Sequence, residues 1–282
     1  MGTSITTTLM VAVFAPLILA SPAFSAPGEA RAAPDWRLPR GTSIKEAGPQ
    51  TYRFTVDMFN ADGKGETLSR QRLTGEYTRG LADGKVEWNN VAQADSPGAT
   101  GVFLEPQKRD FMSAFRYVNR LTDTMKPEFF AGFPPMAVSE RNLVWDTGMI
   151  EYFGQQFFDH LELNLPFHVA GARDIDMPGI GTFQNRDIVL EWIGRSRRNG
   201  RNCAVISYQA FLNPLRIALE GLNLQGRSEY WGQIWVAIDS KQIEYATLHE
   251  TVVGELLLGG QSQAQVINVF RTGALERVGA SK

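Results

Sequence analysis

Cysteine is almost absent from this chain. Cys203 is the only one among 282 residues, so no disulfide can form within the chain. The fold must therefore depend on its apolar core, and a chain of this length can supply a sizeable one. No cysteine lies just after the N-terminal apolar run, so we expect none of the lipid anchoring that bacterial lipoproteins carry at that place.

Charged side chains are missing from the first 25 residues. Within them, Leu9–Ala20 form an apolar run interrupted only by Pro16. A membrane-spanning helix needs about 20 apolar residues, so this run is too short, and small residues follow it at Ala23 and Ser25. We therefore predict a signal peptide at residues 1–25 and a soluble mature protein, exported to the periplasm or beyond and not membrane-spanning. The basic residue that usually opens such a signal is missing.

Neither sign of charge is in large excess. The 28 lysines and arginines nearly balance the 30 aspartates and glutamates, which gives no general attraction to nucleic acid. We expect no nucleic-acid partner. Residues 26–49 mix proline, glycine, alanine and charge without periodicity, which indicates a flexible extension. We predict a single β-rich domain over residues 50–276 and a short tail at residues 277–282.

Alternation of apolar and polar residues predicts a chain dominated by β-strands. The alternation is clearest in TYRFTVDMF, which begins at Thr51. Short turns that contain glycine favour antiparallel hairpins, and the pair Asn199-Gly200 is the strongest such signal. We predict strands at residues 51–59, 67–78, 187–194, 202–211, 228–239, 242–250 and 263–272, and a further strand that carries Val86 and Trp88.

Two segments carry apolar residues at helical spacing, residues 109–121 and residues 149–161. We expect residues 126–148 and 165–182 to be irregular and residues 212–226 to form a short helix or loop. Both faces of the strand around Trp231 are apolar, so we expect cover on both sides of the sheet there. The predicted fold is mainly β (α+β): a curved antiparallel sheet or open, barrel-like meander with two covering helices.

Catalytic and cofactor motifs are also missing. The sequence has no Gly-x-Ser-x-Gly elbow, phosphate loop or dinucleotide fingerprint, and we predict no cofactor, no metal and no enzymatic activity. One alternative is a hydrolase or metal-dependent enzyme, because histidine and carboxylate together bind metals or act as bases. Its residues would come from one cluster: Asp159, His160, Glu162, His168, Asp174 and Asp176.

Four arginines gather at the tip of the hairpin predicted around Asn199-Gly200. Guanidinium groups pair well with phosphate and carboxylate. We therefore predict anion binding at this tip, with peripheral contact to an anionic membrane surface as one form of it. The residues are Arg195, Arg197, Arg198 and Arg201.

Aromatic residues supply the remaining signal. They lie in predicted strands and in the second predicted helix, where they form either plain core or the wall of a ligand pocket. The predicted ligand-binding set is Trp88, Phe153, Phe157, Trp192, Trp231 and Trp235. We predict a non-enzymatic binding or carrier protein for an apolar or amphipathic ligand in the cell envelope. A structural or interaction module without a pocket is a further alternative, and a cavity beneath the helices distinguishes the two.

Overall fold

The computed structural model describes residues 37–97, 101–120, 122–170, 173–177, 180–259 and 262–279. The predicted signal peptide lies outside these residues. So do the first part of the predicted extension and the end of the predicted tail. These boundaries stay predictions.

The described chain is mainly β, and its 13 strands belong to one antiparallel sheet. The strands are β1 (Gln50–Asp62), β2 (Thr67–Arg79), β3 (Val86–Pro97), β4 (Gln107–Lys108), β5 (Phe115–Tyr117), β6 (Phe167–Val169), β7 (Arg173–Met177), β8 (Gly181–Asn185), β9 (Asp187–Arg198), β10 (Arg201–Leu219), β11 (Leu222–Ala237), β12 (Ile243–Leu258) and β13 (Gln265–Arg277).

The sheet runs in the order β4, β3, β2, β1, β13, β12, β11, β10, β8, β7. Strand β5 also pairs with β3, while β9 pairs with β10 and β6. No ladder among the described residues joins the two ends of this order, so the sheet is open there. The mainly β, antiparallel prediction is confirmed.

The hairpin between β9 and β10 turns at the predicted pair. Asn199 and Gly200 have φ angles of 50° and 73°, the positive values that a two-residue hairpin turn of this hand requires. Asparagine and glycine adopt such angles at little steric cost, so the sequence alone determines the position of this turn.

The segment at residues 212–226 is a continuous hairpin of β10 and β11, so the prediction of a short helix or loop was wrong. A bulge between Ala210 and Asn213 shifts the register, and Leu212 within it has a φ of 57°. The bulge and Pro214 interrupt the alternation that marks a strand. Similarly, residues 165–182 contain β6, β7 and the start of β8 instead of a plain loop.

Two covering helices are not confirmed. One α-helix is present in the described ranges, α1 (Val138–Glu151), and it continues as a π-helical turn over Tyr152–Gln156. It begins within the segment expected to be irregular. The described part of the first predicted helix, residues 109–120, instead contains a 3₁₀ turn (Asp110–Met112) and β5. No helix of the described chain combines the length and the apolar character that crossing a membrane requires.

Helix α1 lies at the centre of the core. Side chains from several strands reach it: Tyr77 of β2 bonds Glu151, and Arg271 of β13 bonds Asp146. At Gly154 the approach to β11 is so close that a Cβ would lie 3.1 Å from Ile234 Cγ2. The helix and its π-helical turn therefore pack against strands β2, β13 and β11 of the sheet.

The outer face of the sheet near Trp231 is not covered, contrary to expectation. Trp231 is 40% exposed and stacks on His249 of the neighbouring strand, with ring centroids 5.7 Å apart. Trp235 and Tyr245 form a second aromatic pair between the same strands. These side chains shield one another, so apolar residues on this face need no further layer.

Replacing Leu143 with alanine should lower the free energy of unfolding by about 2–5 kcal/mol, because it empties a position at the centre of the core. The side chain is 0% exposed. Urea unfolding measures the loss. The control is Leu104→Ala, at a side chain 60% exposed, with an expected change within about 0.5 kcal/mol. Equal losses in the two variants would contradict the central position of α1.

Candidate functional site

A cavity of about 410 Å³ lies between helix α1, the segment before it and the inner face of the sheet. Small-molecule sites commonly measure roughly 300–1,000 Å³. Most of the lining is apolar: α1 and its π-helical turn contribute Trp145, Met149 and Phe153, and the sheet contributes Phe183, Ile188 and Leu248. A void of this size beside a packed core is suited to an apolar guest.

A second apolar cluster continues the cavity wall towards the far end of the long hairpins. Its buried members are Met177, Ile180, Leu215, Leu224 and Val252. Trp145 and Phe183 pack against both this cluster and the main core, and both also line the cavity. The apolar surface therefore extends beyond the cavity itself.

One part of the lining carries charge. Arg271 donates from its two terminal nitrogens, one to Asp146 and the other to Glu250. Ser228 donates from its hydroxyl to Glu250 Oε1 at 2.6 Å. The arginine side chain is only 8% exposed, so the whole group lies in the interior.

The sheet register and the helix bring these charges together. Glu250 of β12 and Arg271 of β13 are directly opposite each other on the inner face, and Asp146 reaches them from α1. Buried charges are costly unless they are paired. Three of them beside a cavity therefore make this part of the lining a candidate functional site. None of the three residues was predicted from the sequence as part of a site. One signal in the sequence could have identified Glu250: a charged residue stands at an inward position of the strand, where its neighbours on the same face, Leu248 and Val252, are apolar.

Burial raises the pKa of Asp146 to about 6. Arg271 opposes this shift and Glu250 adds to it. Burial also acts to lower the pKa of Arg271, but the carboxylates of Asp146 and Glu250 outweigh it and raise that pKa above its ordinary value. Asp146 therefore changes charge near neutral pH, while Arg271 stays charged.

A separate polar group secures the end of α1. Glu151 accepts from the Tyr77 hydroxyl at 3.0 Å and pairs with Arg79 at 2.7 Å, and Asn119 also donates to it. Asn119 lines the cavity as well. Burial raises the pKa of Tyr77 well above its ordinary value, with Glu151 adding to the shift, so the tyrosine remains a hydrogen-bond donor.

Of the six aromatic residues predicted to bind a ligand, the structure brings one to the cavity. Phe153 is 2% exposed and lines it. Trp88 and Trp192 are buried in the core, where their ring nitrogens donate to the Tyr117 hydroxyl and the Gly194 carbonyl. The other three lie away from the cavity lining: Phe157, Trp231 and Trp235.

The arginine-rich hairpin tip is partly neutralised by the protein itself. Arg201 pairs with Asp239 at 2.6 Å and with Glu244 at 3.5 Å. Arg198 lies over the Tyr245 ring and 3.6 Å from Glu276. The other two, Arg195 and Arg197, border a shallow groove together with Arg201 and Lys45. Anion binding at this tip stays a prediction.

The histidine and carboxylate cluster is dispersed where the structure describes it. Asp159 pairs with Lys241 at 2.6 Å, and Glu162 lies 3.4 Å from Arg37. The His160 ring stacks on Phe167, and His168 lies 2.9 Å from Asp187. The side chains of Asp174 and Asp176 lie outside the described part. Among the described residues, no three His, Cys, Asp or Glu side chains are placed to hold a metal ion.

No protein family matches the chain, and no curated protein sequence matches it. Among solved structures, one of lipovitellin, described as "Lipid-protein interactions in lipovitellin", aligns over 83% of this chain with a TM-score of 0.35 and 16% identity. The chain spans about a quarter of the length of that protein, 26%. So distant a likeness identifies neither a family nor a ligand.

Removing the guanidinium should strongly destabilise the protein. In Arg271→Met, two buried carboxylates lose their cation, which should cost about 3–5 kcal/mol of unfolding free energy at neutral pH. The control is Arg72→Met, because Arg72 pairs with Asp57 at 2.6 Å on the surface, where such a pair is worth about 0–1 kcal/mol. Chemical denaturation of both variants measures the difference, and similar losses would contradict a buried ion group.

Stability should also respond to the titration of Asp146. Its pKa of about 6 in the folded protein lies above the ordinary 3.8, so between these values the folded state holds more protons than the unfolded state. The contribution of this group to the free energy of unfolding therefore falls as pH rises from about 4 to about 6. The free energy of unfolding of wild type minus that of Asp146→Asn should decrease between about pH 4 and about pH 6 and stay constant at higher pH.

The control for this titration is Asp83→Asn, at a carboxylate 43% exposed, which should follow the wild-type pH dependence. Unfolding free energies measured in urea at several pH values provide the comparison. A difference between wild type and Asp146→Asn that does not change with pH would refute the raised pKa.

Proposed function

We propose that this protein binds an apolar or amphipathic small molecule in the cavity beside helix α1 and acts as a non-enzymatic carrier. The observation that carries the proposal is the cavity itself: about 410 Å³, with a mostly apolar lining and one charged group. Sites for small ligands combine these features, because apolar walls supply affinity and a few polar groups fix orientation.

The apolar lining provides enough free energy for useful affinity. Each buried methylene contributes about 0.8 kcal/mol, so a chain of several methylenes offsets the cost of immobilising the ligand. The adjoining cluster around Leu215 and Val252 offers further apolar surface for a longer tail. An amphiphile with its tail along these walls and its head near Arg271 uses both kinds of lining.

The alternatives gain less support. A module that acts only through its surface is expected to have a solid core, whereas this core contains a cavity. An enzyme built on residues 159–176 needs those side chains in one cleft. The described ones, including His160 and His168, are not part of the cavity lining.

We place this role in the cell envelope on the strength of the signal peptide predicted at residues 1–25. The apolar run at Leu9–Ala20 and the small residues after it support that placement. A carrier in that compartment moves ligands whose tails are poorly soluble in water.

The neutral apolar dye N-phenyl-1-naphthylamine tests for the cavity. We expect saturable fluorescence enhancement with one dye per chain, and at least roughly tenfold weaker binding in Met149→Trp, because the larger ring fills the cavity. The control is Met136→Trp, at a side chain 62% exposed and outside the lining, which should bind as wild type does. Absence of saturable binding to wild type, or equal binding by the two variants, would overturn the proposal.

A further inference from the structure

We propose that the cavity selects amphiphiles whose head group is a protonated amine over those with a neutral or carboxylate head. The inference rests on the proposed function and adds the chemistry of the head group. The structural basis is an excess of carboxylate in the charged part of the lining.

The charged part of the lining contains more acidic than basic groups. Two carboxylates, of Asp146 and Glu250, share the single guanidinium of Arg271. With both carboxylates ionised this group has a net charge of about −1. The remaining charged residue of the described lining, Arg120, is exposed, where water and salt screen it. The interior end of the cavity is therefore negative.

The hydrogen bonds within the charged group leave one acceptor oxygen without a described partner. Both terminal nitrogens of Arg271 are engaged by carboxylates, and Glu250 also accepts from Ser228. Asp146 accepts through Oδ2 from Arg271, and no partner for its Oδ1 occurs among the residues with described side chains. The Asp146 side chain retains 12% exposure and lines the cavity. Within this charged group, the atom left for a ligand is thus an acceptor with negative charge.

Tyr230 also lines the cavity. Burial raises the pKa of Tyr230 above its ordinary value, and Glu250 and Asp146 both raise it further. The Tyr230 hydroxyl donates to Asn185 Oδ1 at 2.7 Å, so it offers no free donor to an anion. A ligand carboxylate here would be a third acid group around one guanidinium.

An ammonium head satisfies this site. It donates up to three hydrogen bonds and carries the missing positive charge, and charges interact strongly in an interior of low dielectric constant. A hydroxyl head supplies one donor without charge. A carboxylate head meets repulsion and must also lose its hydration, which is the most costly of the three.

Displacement of N-phenyl-1-naphthylamine by decylamine, decanol and decanoate tests the preference. The three differ only in the head group, and at about pH 7.5 the amine is protonated and the acid ionised. We expect decylamine to bind most tightly, decanol next and decanoate most weakly, with at least a roughly tenfold ratio between the amine and the acid. All are used below the concentrations at which they form micelles.

The variant Glu250→Gln tests whether the charged group causes the preference for an amine head. It keeps the size and one of the two accepting oxygens but removes one charge, so the ratio of amine to acid affinity should fall by at least roughly tenfold. The control is Glu255→Gln, which removes the same charge from an exposed position on the same strand and should keep the wild-type ratio. If Glu250→Gln does not fold, the wild-type series still decides the question.

The outcomes separate the two proposals. If wild type does not bind the dye, the proposed function fails and this inference fails with it. If the dye binds but decanoate competes as well as decylamine, or no decyl compound competes, only the head-group inference is overturned. An unchanged ratio in Glu250→Gln would likewise overturn the assignment to this carboxylate.

Discussion

The pairing of Arg271 with Asp146 and Glu250 joins the central helix to the sheet, and the rest of the structure depends on it. Helix α1 is buried on nearly every side, so apolar contacts alone would tolerate many rotations of it. Charged pairs do not, because a buried charge without its partner is costly. The helix and the turns around it are held in this way at several points along their length: Glu140 with Arg109, Asp146 with Arg271, Glu151 with Arg79 and Asp159 with Lys241.

The same constraint explains how a cavity persists beside a packed core. Cores normally close around voids, because every unfilled space forfeits dispersion contacts. Here the pair of Asp146 and Arg271 holds the helix to β13 at the charged part of the cavity lining, and the sheet forms the opposite wall. The void costs less free energy than a buried ion without its partner would. A ligand that fills the void recovers the lost contacts.

The strands were predictable because their signals are local. Alternation gave β1, β2 and the strands of the C-terminal third, and Asn199-Gly200 marked its hairpin. Helix α1 was poorly predictable because it is buried on nearly every side, which leaves no apolar stripe of helical period. Its buried residues also include Glu140 and Asp146, whose charge suggests exposed positions. The cavity depends on how distant segments meet, which no local pattern encodes. The inward Glu250 and Arg271, in contrast, were visible in the sequence as exceptions to the alternation.

One group of side chains thus serves both the fold and the proposed site. An excess carboxylate in the interior costs stability. Because the pKa of Asp146 is raised to about 6, its side chain is protonated and uncharged below that pH, which removes part of this cost. A ligand with a positive head offsets the same cost by supplying the missing charge. Because it binds the folded state alone, it also raises stability in proportion to the logarithm of its concentration above Kd. Binding, folding and the protonation of Asp146 are therefore linked through a single carboxylate, since proton and ligand compete for it.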